Sequence, residues 1–548
     1  MIILRQTISD SLKYESYMST CTRNVLPNVL DHTQLSKIDV AAYIYLLLPL
    51  TLFISGWLEI WMSVPLISLL VYSAFRLYQT SVPDIFARRC FTEYKEWMPA
   101  LVVFISYVFL TGVTGNWAQH PDYYVRNDIF WDLTTKTWPP TLPDGKYFVY
   151  YFQSWLPASL VGSIFGWGTA LWVHFFWSSI GILFAVYYIF KLTGRCSYWI
   201  ACIFFIWNGL EYIPCSVAEF LCQGMEGMRF NSLIHFSEPP MFSIKALMHC
   251  FIPISIIGGM LMNPSIAKKL GPSLGILAVM YNPMGSMFLL PILLFIYFRI
   301  FFFEKKDFLI KEKWMCVLNH VFSFHNVSLI IPFVLLIYPY YSSSNSISSS
   351  QGSNLMTFSC FAQFVYYLFF NIIIASFLIR KNVKDKLLWV VLIAHILSAT
   401  SGLVFNSDIA KKGSFITTYF FIIMYCQAFC REKSAFKILY VLYSIIASLY
   451  FVQMTGAFAS TIAGIIVWIL FKIKSRNVIF SVALVSVCSL SLFLYKPDII
   501  EPIKSKLRGD RLKYNENMGI YQADGGSGLW WWYMAFPDAD AMPIWFKR

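Results

Sequence analysis

The chain has 548 residues, of which 58% are hydrophobic, 19% aromatic and only 13% charged. Soluble domains carry about a quarter charged residues, so this composition excludes an ordinary soluble globule and points to a polytopic membrane protein. The formal net charge of +13 does not imply nucleic acid, because the Lys and Arg residues are spread over the segments between apolar runs, as the positive-inside rule describes.

Residues 1–40 are polar and mixed in charge, without an apolar h-region, and are expected to form a cytoplasmic N-terminal segment. A bilayer core about 30 Å thick needs roughly 20 apolar residues per helical span. Runs of that size recur at 41–60, 62–79, 98–115, 167–190, 196–216, 246–264, 270–286, 287–304, 316–339, 359–379, 387–405, 413–430, 437–454, 457–473 and 477–495. The expected fold class is therefore an all-α integral membrane protein with about 14–15 spans over residues 41–495. The runs are apolar on all sides and lack the alternation of a barrel strand, and lipid leaves spanning segments only helices or closed barrels. Asn282, Pro283, Met284 and Gly285 interrupt the 270–304 stretch and mark either two short helices or one broken helix.

Clusters of Lys and Arg fix the expected orientation. Arg88, Arg89 and Lys95, then Lys191 and Arg195, Lys268 and Lys269, Lys305 to Lys313, Arg380 to Lys386, Arg431 and Lys433, and Lys472 to Arg476 all fall on one side if the N-terminus is cytoplasmic. The segment 116–167, the uncharged serine-rich loop 341–358 and the tail 496–548 are then expected on the outer face. Residues 147–167 are apolar but contain Pro157, Gly162 and Gly166; they are read as one or two interfacial helices, where Tyr and Trp are favoured. The twelve cysteines are dispersed without a C-x-x-C pair, which suggests neither a zinc site nor a disulfide framework but buried free thiols. No G-x-x-x-x-G-K-[ST] loop and no strong internal repeat occur, which counts against an ATP-driven pump and against an inverted-repeat transporter.

The candidate chemistry concentrates in Asn116–Lys146, a polar and aromatic run just after the third apolar segment. Asp122 and Arg126 are spaced i, i+4, as are Asp128 and Asp132, so each pair would share a helix face. A carboxylate at the membrane surface can take the proton of an acceptor hydroxyl, and an arginine beside it can hold a phosphate in a bidentate contact. The competing reading is a solvated loop whose charges pair and cap; the two weigh evenly for Asp122 and Arg126, and the structural reading is favoured for Asp128 and Asp132. A second group comprises Glu211, Glu226, Lys245 and His249. Carboxylates at bilayer depth cost about 2.5–3.5 kcal/mol on insertion scales and so ask for a wet cavity or a partner; for any one of these residues a structural hydrogen bond is the simpler reading. His174 and His395, alone in apolar spans, are read as structural. A third group, Asp408, Lys411 and Lys412, puts basic residues on an otherwise lysine-poor face. Either a phosphate or ordinary pairing with Asp408 explains them.

The run from Gly112 through Pro140, followed by GKYFVYYFQSWLPASLVGSIFGW, resembles a family of bacterial multi-spanning membrane proteins. Asp122, Arg126, Asn127, Asp132, Trp138 and Pro139 match its pattern. Glu211 stands where an aspartate is usual, Glu226 is followed by Gly227 and Met228 instead of two tryptophans, His249 matches a histidine, and Lys412 stands where an arginine is usual. The layout of that family is similar to GT-C glycosyltransferases, with two extra spans before the acidic loop. The resemblance implies transfer of a sugar from a polyprenyl-phosphate donor to a cell-surface glycan or lipid acceptor, in a bacterial inner (plasma) membrane. Asp122 would be the general base. Arg126, Asn127, Asp128, Glu211, Glu226, His249 and Lys412 would bind substrate, with no metal and no cofactor required. Two rival readings are a polysaccharide polymerase or ligase, and a flippase or transporter of lipid-linked sugars.

Overall fold

A computed structural model describes residues 34–115, 123–140, 149–207, 240–303, 309–342, 386–404, 407–432, 434–448, 512–515, 520–523 and 544–547, with a few isolated positions besides. The predicted spans at 359–379, 457–473 and 477–495 fall largely outside these residues.

Ser36 starts the first helix, α1 (Lys37–Trp57), with a reciprocal capping box: Asp39 N–H donates to Ser36 Oγ at 3.2 Å and Ser36 N–H donates to Asp39 Oδ2 at 3.0 Å. A tight turn at Leu58–Glu59 returns the chain as α2 (Ile60–Gln79). A short amphipathic helix α3 (Ile85–Thr92), capped by Asp84, leads into α4 (Tyr94–Leu110). Helix α5 (Tyr123–Thr135) follows, then a 3-10 turn at Gln153–Trp155, α6 (Leu156–Phe165) and the long α7 (Trp167–Thr193). Next come α8 (Tyr198–Ile206), α9 (Pro240–Leu261), α10 (Pro264–Tyr281) and α11 (Leu289–Phe298), which runs on as a π-helical turn Arg299–Phe303. Helix α12 (Ile310–Val321) precedes α13 (Phe324–Ser342), which contains a π-helical turn at Phe333–Ile337. The series closes with α14 (Leu387–Val404), α15 (Ser407–Arg431) and α16 (Ser434–Ser448).

Among the described residues six helices are long and apolar enough to cross a membrane, and α11 and α14 contribute shorter apolar segments. The fold is all-helical in its membrane part, and the chain is a multi-pass membrane protein. Burial separates centre from periphery. The apolar windows of α9 and α15 are 94% and 83% buried, against 28% for α2, whose Trp61, Val64, Val71 and Phe75 are exposed in the manner of a lipid-facing helix. Helix α9 reaches the centre because Gly258 and Gly259 admit the rings of Tyr419 and Tyr188, so α15 and α7 close on it from two sides. Small residues permit such close approach where lipid removes the hydrophobic drive.

The helix ends sort into two levels. At one, Ser36 bridges to Val82, and Lys191 at the end of α7 ion-pairs with Asp39 and Asp84 at 2.9 and 3.0 Å. At the other, Trp57 packs against Trp138 with ring centroids 6.0 Å apart. The chain's last described residues dock there too. Lys547 N–H donates to Trp57 O at 2.9 Å, Glu59 N–H donates to Trp545 O at 2.9 Å, and Phe546 is buried. The tail contains an antiparallel hairpin of β1 (Leu512–Asn515) and β2 (Ile520–Ala523), with Leu512 paired to Ala523; β2 lies against α5.

Two sequence expectations change in detail, and one open alternative is resolved. The stretch 316–339 is not one span. It breaks at Phe322–Ser323, where Ser323 O accepts from Asn326 N–H and Val327 N–H at 3.0 and 2.9 Å, and α12 before it has no buried residue. The NPMG interruption ends α10 at Tyr281 and separates it from α11, with Asn282 Oδ1 accepting from Gly285 N–H at 3.0 Å. The cysteines are not all free. Cys90 on α3 and Cys196 in the α7–α8 turn form a disulfide across 106 positions of sequence, which no local spacing announces.

Helix α6 is the interfacial element. Pro157, Ala158 and Ser159 face the bundle, while Leu160, Ile164 and Phe165 are exposed. Gly166, at φ 91°, turns the chain sharply into α7, a conformation that glycine adopts without steric cost. A Cβ at Gly162 would collide with Ala170 and come within 2.8 Å of Thr134 Cγ2. Gly162→Ala is therefore expected to destabilise the protein by about 1–3 kcal/mol through overpacking, read as a lower melting temperature in detergent; an unchanged melt would show that α6 is free to shift.

Candidate functional site

The site forms where α9 is broken. Leu247 has φ −133° and ψ 35°, so two helical segments meet there at a kink. Pro253 has no N–H to offer the carbonyl four residues earlier, that of His249. Both consequences are answered by side chains from α5 and from the 3-10 turn at Gln153–Trp155. Arg126 Nη1 donates to Ala246 O, and Ser154 Oγ donates to His249 O at 2.7 Å. In lipid, irregular backbone is tolerated where protein or a water-filled cavity satisfies it, and discontinuous helices recur at binding sites for that reason.

His249 sits in the first turn after the kink and is 2% exposed. Its ring lies 4.7 Å from Trp155 and 5.4 Å from Tyr151 in stacked geometry, and 6.1 Å from Tyr150. Neither ring nitrogen has a hydrogen-bond partner among the described residues. A buried polar group left unpaired costs about 1–3 kcal/mol. Gln153, wholly buried beside it, donates from Nε2 to Tyr341 OH at 3.1 Å while its Oε1 is unpartnered among the described residues.

Two cations converge here from distant parts of the chain. Arg126, with Asn127 and Asp128, is buried on α5. Lys412 enters from the start of α15, its Nζ 4.9 Å above the Tyr151 ring and 3.6 Å from Met284 Sδ. Its backbone is held by the break between α10 and α11, where Asn282 Nδ2 donates to Lys412 O at 2.8 Å. Both cations act electrostatically on His249 and on Tyr150. Burial pushes the Tyr150 phenol well above its ordinary range, Tyr151 adds to this, and Arg126 and Lys412 partly offset it. Tyr340 fixes the wall: its hydroxyl accepts from Tyr150 N–H at 2.9 Å and donates to Tyr150 O at 3.2 Å.

The structure thus brings together Arg126, His249 and Lys412 of the sequence candidates, while Asn127 and Asp128 are buried next to Arg126 on α5. Asp122, Glu211 and Glu226 lie outside the described residues. Asp132 pairs with Lys136 at 2.8 Å on the surface of α5 and not with Asp128. His395 Nδ1 is 2.5 Å from Thr417 Oγ1 and ties α14 to α15. His174 differs: both of its ring nitrogens are unpartnered among the described residues, it lies 5.4 Å from the Phe130 ring, and it acts electrostatically on His249. Sequence reasoning missed the wall of Tyr150, Tyr151, Gln153 and Trp155; the signals available were the aromatic density of 147–155 and Pro253.

These buried polar residues lie near one end of the helices of a multi-pass membrane protein. No family model, no curated protein and no solved structure matches the chain.

Proposed function

We propose that this chain is an integral membrane glycosyltransferase of GT-C type that moves a sugar from a polyprenyl-phosphate donor to a cell-surface glycan or lipid acceptor. The observation that carries this reading is the convergence of Arg126 and Lys412 on His249, a buried ring with two unpartnered nitrogens at a break in the most buried span. Arg126 and Lys412 bind the donor phosphate and stabilise the charge that grows on it as the bond to the sugar breaks. The ring faces of Tyr151 and Trp155 take the sugar, and the nitrogens of His249 meet its hydroxyls. Asn127 and Asp128 shape this side of the chamber, and Glu211 and Glu226 position the acceptor.

In the transfer, the acceptor oxygen bonds to the anomeric carbon, the carbon–oxygen bond to phosphate breaks, and polyprenyl phosphate departs with the electron pair. Asp122 receives the acceptor proton. The exposed apolar face of α6 guides the prenyl chain. In this reading the protein lies in a bacterial inner membrane with its N-terminus cytoplasmic and the chamber toward the outer face. Asp122→Asn is expected to leave the protein folded and to abolish transfer from a radiolabelled polyprenyl-phosphate sugar in membrane vesicles. Transfer at the normal rate would remove Asp122 from the role of base.

A further inference from the structure

A second set of cations lies at the opposite end of the bundle. Arg76 near the end of α2 and Lys269 in the second turn of α10 both act electrostatically on His325, which opens α13. Ser73 Oγ lies 2.9 Å from His325 Nδ1 and ties α2 to this point. Asn326 locks the backbone around it: its Nδ2 donates to Lys269 O at 3.2 Å and to His320 O at 2.7 Å, and its Oδ1 accepts from Ser273 Oγ at 2.7 Å. The scaffold is therefore rigid and internally satisfied, while the cations it presents are not. Among the described residues neither Arg76 nor Lys269 makes an ion pair. Cations gathered among the described residues without an ion-pair partner offer a site for an anion.

The surroundings say which kind. Tyr72, Phe75, Phe322 and Phe324 are exposed beside the cations, and the Tyr72 and Phe324 rings meet edge-on at 5.5 Å. This collar is continuous with the lipid-facing surface of α2. A free phosphate would use the cations and leave the collar idle, whereas an anionic phospholipid uses both, with its phosphate on the cations and its chains along the rings. We propose that Arg76 and Lys269 form a headgroup site for an anionic phospholipid, with Tyr72, Phe322 and Phe324 receiving the acyl chains.

The test uses the full-length protein in nanodiscs of phosphatidylcholine, with or without phosphatidylglycerol, and a third arm of phosphatidylcholine with inorganic phosphate in solution. Phosphatidylglycerol is expected to raise the melting temperature and to survive delipidation in native mass spectrometry. Cations near an anionic leaflet each contribute about a fivefold preference. The double substitution Arg76→Gln with Lys269→Gln is expected to erase that preference while melting like the wild type in phosphatidylcholine alone. If the double variant fails to fold, Arg76→Gln, which changes an exposed side chain, is expected to lose about fivefold by itself. An undiminished preference in the variants, no preference in the wild type, or equal stabilisation by inorganic phosphate would each overturn the proposal.

Discussion

Arg126→Ala is expected to lower transfer by roughly two to three orders of magnitude, the range found when one preorganised donor is removed from a desolvated reaction site. The guanidinium has two tasks at the kink of α9. It donates to Ala246 O, and it supplies one of the two positive charges acting on His249. Removal strands the Ala246 carbonyl at a cost of about 1–3 kcal/mol and leaves Lys412 alone against the donor phosphate. Arg126→Lys keeps the charge but loses the planar fork, so its activity should fall between alanine and wild type. Mass spectrometry of co-purifying lipids separates the two tasks: a polyprenyl-phosphate sugar is expected on the wild type and absent from Arg126→Ala, while the melting temperature reports the stranded carbonyl. If Arg126→Ala carries the same lipid and turns over normally, the phosphate role is lost.

The largest expected effect on stability is at Lys191. Its ammonium bridges Asp39 and Asp84, whose side chains are only 4% and 5% exposed. Tyr188 donates to Asp39 at 3.1 Å and Tyr187 to Asp84 at 2.5 Å. Lys191→Met leaves two buried carboxylates without a counter-charge, and breaking a buried pair in this way costs about 3–5 kcal/mol. The pH dependence should change with it. Burial pushes the Asp84 carboxyl up, but Lys191, Ser36, Tyr187 and the Ala87 N–H together hold it below its ordinary range. A carboxyl lowered by folding contributes stability at neutral pH, and that contribution disappears as pH falls through the lowered value. Without Lys191 burial is no longer opposed by a cation, so Asp84 should rise and the variant should gain stability on mild acidification, where the wild type changes little and loses stability only at more acid pH. Melting curves from about pH 2.5 to 8 check both signs; identical curves for the two proteins would mean that the pairing is inert.

Much of the site was half-legible before the fold was known. Arg126 stands out because it is spaced i, i+4 from Asp122 and can hold a phosphate in a bidentate contact, and Lys412 because it breaks the lysine-poor pattern of its face. Nothing in spacing, however, links them to each other or to His249. Their meeting depends on α5 lying across the kink of α9 and on Asn282 holding the start of α15. His174 looked like an ordinary core histidine because sequence does not report whether a ring nitrogen has a partner. The cystine was invisible for a related reason: Cys90 and Cys196 become neighbours only when α3 docks beneath the end of α7.

The sequence by itself determined that this is a helical membrane protein, and it marked breaks at Gly166 and at the NPMG run. Those features are local: lipid forces each spanning segment to satisfy its own backbone, and such residues disrupt that satisfaction wherever they fall. Only the tertiary structure decided which breaks matter. The freed carbonyls of Ala246 and His249 attracted Arg126 and Ser154, and the same packing sealed His249 in with its nitrogens unpaired. Side chains from distant helices converge by packing, and packing leaves no period in the sequence to read.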